Sequence, residues 1–325
     1  MSFPHFLGED DFLDAMNGEC RIWRDRYVRD DNLTLRDGSK MHYYIAEHED
    51  PSAVIVFLHG FCEFWGKYHE FAWYLWQAGY TVYFPELRGH GYSDGKQPEE
   101  DIVFIDSFDT YVKDVHDFLK KVVLPATEGK TRILMSHSMG GAIAGLLLET
   151  YPGIFSAALF CSPMFRLTVG NLKPPAIMAV RFATFVLRRQ RQLLPGQHRF
   201  DGVNVFERSS TLSKPRYDYQ FHMRIEDHHF QTYASSLGWA IAGLKAGKKV
   251  ISHAGRITIP VTLFRAGQDT LVRPEAFDEF KAKAPQAVIM DYPESKHEIF
   301  NATEDIRKAF FTDVLSTLDS YRNLK

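Results

Sequence analysis

The chain has 325 residues, of which 45% are hydrophobic and 24% charged, with a formal net charge of −3. That length fits one large domain, or a domain with a sizeable insertion, and the composition is ordinary for a globular protein. Acidic and basic residues are mixed with no basic run, which argues against nucleic acid as a partner.

The N-terminal stretch "MSFPHFLGEDDFLDAMNGEC" is acidic and has no basic region leading into an apolar core, so it does not read as a secretory signal. Cys20, Cys62 and Cys161 are odd in number and far apart, which argues against a disulfide framework and fits a reducing compartment. No run reaches the ~18 to 20 apolar residues a spanning helix needs. The nearest approach, "AIMAVRFATFVLRRQRQLL", is broken by Arg181. The expectation is a soluble, cytoplasmic protein.

"DGSKMHYYIAEHE" alternates as an early strand does, and "AVIVFLHG" reads as a strand buried on both faces that stops at a glycine. "KYHEFAWYLWQAG" has helical spacing with Gly79 as its stop, and "YTVYFPE" is a second buried strand closed by "LRGHGYSDG". "SFDTYVKDVHDFLKKVV" predicts a helix capped by Ser107, with Phe108, Val112, Val115 and Leu119 on one face. "TRILMS" then predicts a strand, "GGAIAGLLLETYP" a helix, and "FSAALFCSP" another strand.

The rhythm breaks from about 164 to 256 and resumes with "IPVTLFRAGQD", "RPEAFDEFKAKAP", "QAVIMDYPESKH" and the closing helix "TEDIRKAFFTDVLSTLDSYR". Alternating strands and helices predict an α/β fold with a mostly parallel sheet covered on both faces, because parallel strands need crossovers. The break is too long for a loop and predicts an inserted helical subdomain over 164–256, between core segments 1–163 and 257–325.

Between "TRILMS" and the following helix stands "SHSMG". A serine in a strained strand-to-helix turn has its hydroxyl lifted above the sheet, and its neighbours two residues away must be small. Here they are Ser136 and Gly140, and the helix start directs free N–H groups toward the site. Ser138 is therefore a candidate nucleophile, although a helix-capping serine beside packing glycines would read the same way over five residues.

A serine nucleophile needs a base and an orienting acid, which in this kind of sheet follow in the order acid, then histidine, each after a later strand. Asp269 follows "VTLFRAGQ" and His297 lies in the loop past "AVIMDY", so both converge on the edge where the serine sits. Asp291 lies within its strand, and Glu294 and Glu298 flank the histidine in its own loop, so Asp269 is the better acid. "LHGFCE" follows the first buried strand and offers the Phe61 N–H to an oxyanion, with the Met139 N–H as the second donor.

Together with "LRGHGYSDG", "FDTYVKDVHDFL", "SPMF" and "KHEIF", these motifs resemble the α/β-hydrolase family, and within it the lysophospholipase L2 and monoacylglycerol lipase branch. The resemblance covers roughly Lys40 to the C-terminus and is weaker through the insertion. It implies a Ser138–Asp269–His297 triad, a cap formed by the insertion, and a small lipid ester as substrate, most closely a lysophospholipid. It also implies that Glu63 lies near the substrate's polar head and that Trp239, in "SSLGWAIAGLKAG", faces the pocket. No cofactor and no metal are implied.

"PPAIMAVRFATFVLRRQRQLL" is apolar for three turns and then cationic, which suits a cap that lines an acyl tunnel and touches the inner face of a membrane. Glu226, Asp227, His228 and His229 form a polar cluster, but adjacent histidines diverge on a helix, so a metal is not expected. Cys62 is expected to be a buried thiol. Monoacylglycerol lipase, another carboxylesterase and an aminopeptidase stand as alternative hydrolases. A non-catalytic binding protein of the same fold stands as the alternative outside enzymes. No motif sets an oligomeric state.

Overall fold

A computed structural model describes residues 3–170 and 173–324. Residues 171 and 172, within the expected insertion, lie outside the described residues. Among the described residues ten strands form in chain order: β1 (Val28–Thr34), β2 (Lys40–Ala46), β3 (Ala53–Leu58), β4 (Tyr80–Pro85), β5 (Ile102–Val103), β6 (Arg132–His137), β7 (Ala157–Cys161), β8 (Ala234–Ser235), β9 (Val261–Ala266) and β10 (Ala287–Tyr292). Eight of them make one sheet in the order β1-β2-β4-β3-β6-β7-β9-β10, while β5 and β8 pair separately. From β4 through β10 all neighbours are parallel, and β1 and β2 close the edge antiparallel.

Successive residues of the central strands serve opposite faces, the consequence of the two-residue repeat of a strand. Val54, Val56 and Leu58 join Leu134 and Phe160 in one apolar cluster, while Ile55, Phe57, Met135 and Leu159 join the other. Short helices α1 (Phe12–Asn17) and α2 (Glu19–Tyr27), α3 (His69–Gln77) and α11 (Glu304–Tyr321) build the second cluster. Helix α4 (Phe108–Phe118), its continuation through a π turn into α5 (Leu124–Ala126), α6 (Met139–Thr150), α9 (Leu237–His253) and α10 (Glu275–Lys283) cover the first face. The expected cap at Ser107 forms, its Oγ accepting from the Asp109 N–H at 3.2 Å.

Between β7 and β9 the chain carries α7 (Pro174–Val186), α8 (Lys214–Glu226) and α9. These helices pack against different parts of the fold. Helix α9 packs into the core, where a Cβ at Gly145 would come within 2.7 Å of Val250, so the missing side chain lets the two helices close on each other. Helix α8 is anchored to the N-terminal segment through Arg216, whose guanidinium meets Glu70 at 2.7 Å and Glu9 at 2.9 Å. The β5–β8 pair and the fork of Arg199 on Asp101 tie the irregular 187–213 stretch and its return to the core. Among the described residues no helix is long and apolar enough to cross a membrane.

Candidate active site

Strand β6 ends at His137 and α6 begins at Met139, leaving Ser138 alone between them at φ 50°, ψ −116°. A side chain in that conformation is strained, so the surroundings must hold it. Its N–H donates to the Cys161 carbonyl at 3.0 Å, and its carbonyl accepts from Gly141 and Met164, each at 2.8 Å. A Cβ at Gly140 would lie 2.1 Å from the Leu58 carbonyl oxygen, and one at Gly141 2.4 Å from Pro163. Glycine is required at both, because the turn presses the helix start onto the end of β3 at Gly140 and onto the loop after β7 at Gly141. A Cβ at Gly141 would still stand 3.6 Å from Ser136 Oγ, which shows that a serine fits two residues before Ser138.

His297 and Asp269 come together as the chain order requires. His297 Nδ1 lies 2.6 Å from Asp269 Oδ2, with both side chains buried. The other carboxylate oxygen accepts the N–H groups of Leu271 at 2.8 Å and Val272 at 3.0 Å. Burial opposes charge on Asp269, but His297 and these donors outweigh it and hold the carboxyl below its usual range. An ionised Asp269 keeps the histidine proton on Nδ1 and leaves the Nε2 lone pair free. That Nε2 is buried and has no hydrogen-bond partner among the described residues, and His297 and Ser138 line the same cavity. Two of the three rival acids are engaged elsewhere, Asp291 with Arg265 at 2.5 Å and Glu298 with Lys67 at 2.7 Å, and the third, Glu294, is exposed.

The loop after β3 is braced from beneath. The Leu87 N–H donates to His59 Nε2 at 2.9 Å, so the ring proton sits on Nδ1 and is donated to the Gly60 carbonyl at 2.7 Å. Burial pushes the His59 pKa down to about 4, which keeps this neutral form in place. In a trans peptide the carbonyl and the next N–H point in opposite directions, so fixing the Gly60 carbonyl also fixes the aim of the Phe61 N–H. Cys62 takes a positive φ of 57° in the same loop, and burial pushes its thiol well up, which makes it a poor nucleophile.

Glu63 lines the cavity, but its oxygens already have partners. Oε1 accepts from Lys67 Nζ at 2.7 Å, and Oε2 from the Gly60 N–H at 2.5 Å and from the Tyr68 hydroxyl, with His137 Nδ1 at 3.2 Å. Lys67 bridges to Glu298, 2.7 Å away, and Asn301 donates to Glu298 at 3.0 Å. Burial works against charge on all three ionic groups. Mutual attraction wins, holding Glu63 well below and Glu298 below their usual values and Lys67 above its own. This buried group links the Phe61 loop, the His137–Ser138 junction and the His297 loop. The sequence reading missed it, although Lys67 four residues after Glu63 and His137 beside Ser138 were its visible traces.

Two cavities meet at Ser138, Phe61 and Leu271. One, of about 470 Å³, is walled by charged and aromatic side chains, including Lys67, Arg224, Tyr217 and Phe221. The other, of about 430 Å³, is walled largely by apolar ones, among them Met164, Ile177, Val180, Leu194 and Leu244. Trp239 lines the apolar cavity with its ring 4.1 Å from that of Phe61. Met139 is fully buried at the first position of α6.

Outside the cavities, Asp227, His228 and His229 bring ligating atoms within 4.8 Å of one another. The expected divergence of the two histidines does not hold, because they occupy a 3-10 turn with ring centroids 4.0 Å apart. Asp227 is already taken, by the Tyr92 hydroxyl and by His229, whose Nδ1 lies at 2.7 Å. Glu226 pairs with His222 at 3.0 Å on the exposed side of α8.

The family model for serine aminopeptidase, S33, matches residues 49–304. Lysophospholipase L2 of Escherichia coli K12 is 27% identical over 238 residues, which cover 72% of this chain and 68% of that one. The monoacylglycerol lipase of Mycolicibacterium smegmatis is 28% identical over 277 residues, 84% of this chain and 90% of the relative. Among solved structures, a soluble variant of monoglyceride lipase from Saccharomyces cerevisiae superposes with a TM-score of 0.71 at 17% identity, covering 90% of this chain and 94% of that one. A carboxyl esterase from Bacillus coagulans gives 0.72 at 16% identity, covering 91% and 99%. Those two likenesses speak to the fold, which is that of an α/β hydrolase.

Proposed function

Because this chain belongs to the serine aminopeptidase S33 family and has the α/β-hydrolase fold, we propose that it is a serine hydrolase that cleaves the carboxylic ester of a small lipid, most closely a lysophospholipid. The observation that carries this reading is the position of Ser138, on a strained turn where a polar and an apolar cavity meet. An amphiphile with its ester at that junction has its chain among Ile177, Val180 and Leu244 and its head among charged groups. Both volumes lie within the range of small-ligand sites, about 300–1,000 Å³.

In the proposed reaction His297 Nε2 takes the Ser138 proton as the oxygen attacks the ester carbonyl. The oxyanion rests on the N–H groups of Phe61 and Met139. His297 then protonates the leaving alcohol, and later takes a proton from water as the acyl-enzyme is hydrolysed. Asp269 holds the tautomer and steadies the imidazolium. Glu63 acts in this scheme by bracing the Gly60–Phe61 loop, since its carboxylate is occupied by protein donors. An aminopeptidase would need a free carboxylate for a substrate ammonium; Glu226 and Asp227 are paired and stand outside the cavity walls, and Asp201, which does line the cavity, faces His198 and accepts the Val203 N–H.

Helix α7 supports a peripheral membrane role, on the inner face of a membrane, as part of this reading. Phe182 and Phe185 are 71% and 74% exposed, Met178 and Leu187 are also exposed, and Arg188 and Arg189 follow at the helix end. An apolar face followed by cations suits an anionic lipid surface. Three unpaired, buried thiols suit a cytoplasmic location.

The experiment is fatty-acid release from a lysophospholipid and a monoacylglycerol side by side, with Ser138→Ala as control. Release from the lysophospholipid by the wild type alone supports the reading. Release from the glyceride alone moves it to the sister activity, and cleavage of only a short p-nitrophenyl ester removes the lipid from it.

A further inference from the structure

The polar cavity beside Ser138 holds a guanidinium that no carboxylate answers. Arg224, near the end of α8, donates from Nη1 to the Thr232 carbonyl at 2.7 Å and from Nη2 to the Cys62 carbonyl, and it lies over the Phe64 ring, 5.3 Å from its centroid. These contacts fix the group while leaving further N–H donors in the cavity wall. Among the described residues no carboxylate oxygen comes within 4.0 Å of it. Of the three carboxylates that share the cavity, Glu63 and Glu298 both meet Lys67 at 2.7 Å, and Asp201 faces His198 at 3.7 Å and accepts the Val203 N–H at 3.0 Å. Arg208, exposed at the same cavity, also forms no ion pair among the described residues.

Opposite charge is provided for in a different way. Phe200, Tyr217, Phe221 and Tyr233 line the same cavity. The Phe200 ring stands 5.8 Å from Tyr233 and 6.3 Å from Phe221, and Tyr217 stands 6.0 Å from Phe221. None of these four rings has an Arg or Lys of the described residues over its face. An aromatic wall without a protein cation suits a quaternary ammonium, and a fixed guanidinium without a carboxylate suits a phosphate.

We propose that this cavity is a head-group site for a phosphodiester carrying a quaternary ammonium, in which Arg224 binds the phosphate and the Phe200–Tyr217–Phe221–Tyr233 wall receives the ammonium. The inference rests on the ester-hydrolase reading and narrows its substrate. A neutral glycerol head meets neither feature, so Arg224 acts here as a determinant of specificity between lysophospholipid and monoacylglycerol.

The test compares lysophosphatidylcholine, lysophosphatidylglycerol and monoacylglycerol of one chain length on wild type, Arg224→Gln and Tyr217→Leu. For Arg224→Gln the ratio of kcat/KM for lysophosphatidylcholine over monoacylglycerol falls by about 10- to 100-fold, the scale of a lost charge-assisted hydrogen bond. Arg224→Lys recovers part of it. For Tyr217→Leu lysophosphatidylcholine falls relative to lysophosphatidylglycerol, which keeps the phosphate and lacks the ammonium. An equal fall on all three substrates would overturn the proposal, because it would mean that Arg224 only holds the Cys62 carbonyl.

Calorimetry with glycerophosphocholine reads the site without turnover: Ser138→Ala binds it and the Ser138→Ala, Arg224→Gln double variant does not. Cleavage of monoacylglycerol without cleavage of lysophosphatidylcholine or binding of glycerophosphocholine overturns the head-group site alone. Inertness to every ester and to a fluorophosphonate, with glycerophosphocholine still bound, overturns the hydrolase reading and leaves the site standing.

Discussion

Lys67 and Glu298 meet at 2.7 Å beneath the candidate site, and the same ammonium reaches Glu63 at 2.7 Å. One cation thus joins the loop that carries Phe61 to the loop that carries His297. Lys67→Met leaves two carboxylates buried side by side, and breaking a buried pair from one end costs about 3–5 kcal/mol. Urea unfolding is expected to show a loss on that scale, and Lys67→Met with Glu298→Gln is expected to regain part of it.

Ser138→Ala is expected to lower ester hydrolysis by about 10⁴-fold or more and to abolish fluorophosphonate labelling. The melting temperature should stay close to wild type, since Ser138 Oγ makes no hydrogen bond needed by the turn and the backbone contacts of Ser138 remain. Retained turnover with an unlabelled protein would remove Ser138 from the mechanism.

Asp269→Asn keeps the shape of the acid but offers an N–H₂ to His297 Nδ1, which drives the ring proton to Nε2. A fall in kcat of about 10⁴-fold is expected, by analogy with the same change in a serine protease triad. Steady-state kinetics on a p-nitrophenyl ester measures it. A loss of less than tenfold would reassign the acid.

Glu86 is fully buried and accepts the Tyr92 N–H at 2.8 Å, and burial pushes its carboxyl from an ordinary 4.5 up to about 7. The native state therefore holds a proton that the unfolded chain gives up between those values. The stability this contributes is complete below pH 4.5 and is lost as pH rises through about 7. Relative to wild type, Glu86→Gln should gain about 3 kcal/mol more at pH 8 than at pH 4.5. Urea midpoints at the two pH values decide it, and an equal difference at both would place the carboxyl at its ordinary value.

Replacing Phe182 and Phe185 by Asp is expected to weaken association with anionic vesicles by at least tenfold in a flotation assay. Hydrolysis of a water-soluble ester should be little changed. Raising salt should weaken the wild-type association, because Arg188 and Arg189 contribute through screened charge.

What the sequence made visible follows from the range of the forces involved. The apolar strands β3, β4, β6, β7 and β9 announce themselves by composition, and Ser138, Asp269 and His297 each lie just past one of β6, β9 and β10. Strand β1 was missed because its residues, "VRDDNLT", are polar and lie at an exposed sheet edge, where no hydrophobic alternation is demanded. The six-residue α1 is too short to show a period, though Phe12 and Met16 are buried. Arg216 on α8 reaches Glu70 and Glu9 across the fold, and Arg224 lines the polar cavity without an ion pair among the described residues. Both depend on how α8 packs back onto the rest of the fold, which no local pattern in "SKPRYDYQFHMRIE" encodes. The histidine pair His228–His229 was misjudged for a local reason, a 3-10 turn where an α-helix was assumed.

In the proposed ester hydrolysis, the meeting of two unlike chambers at one hydroxyl also sets an order of departure. A cleaved head group is free to leave through its own chamber while the chain stays attached in the other, so neither product has to pass the other on the way out. The vacated polar chamber is then the route by which water reaches the acyl-serine. A head group slow to leave would therefore hold up deacylation, making the first product an inhibitor of the second half of the cycle.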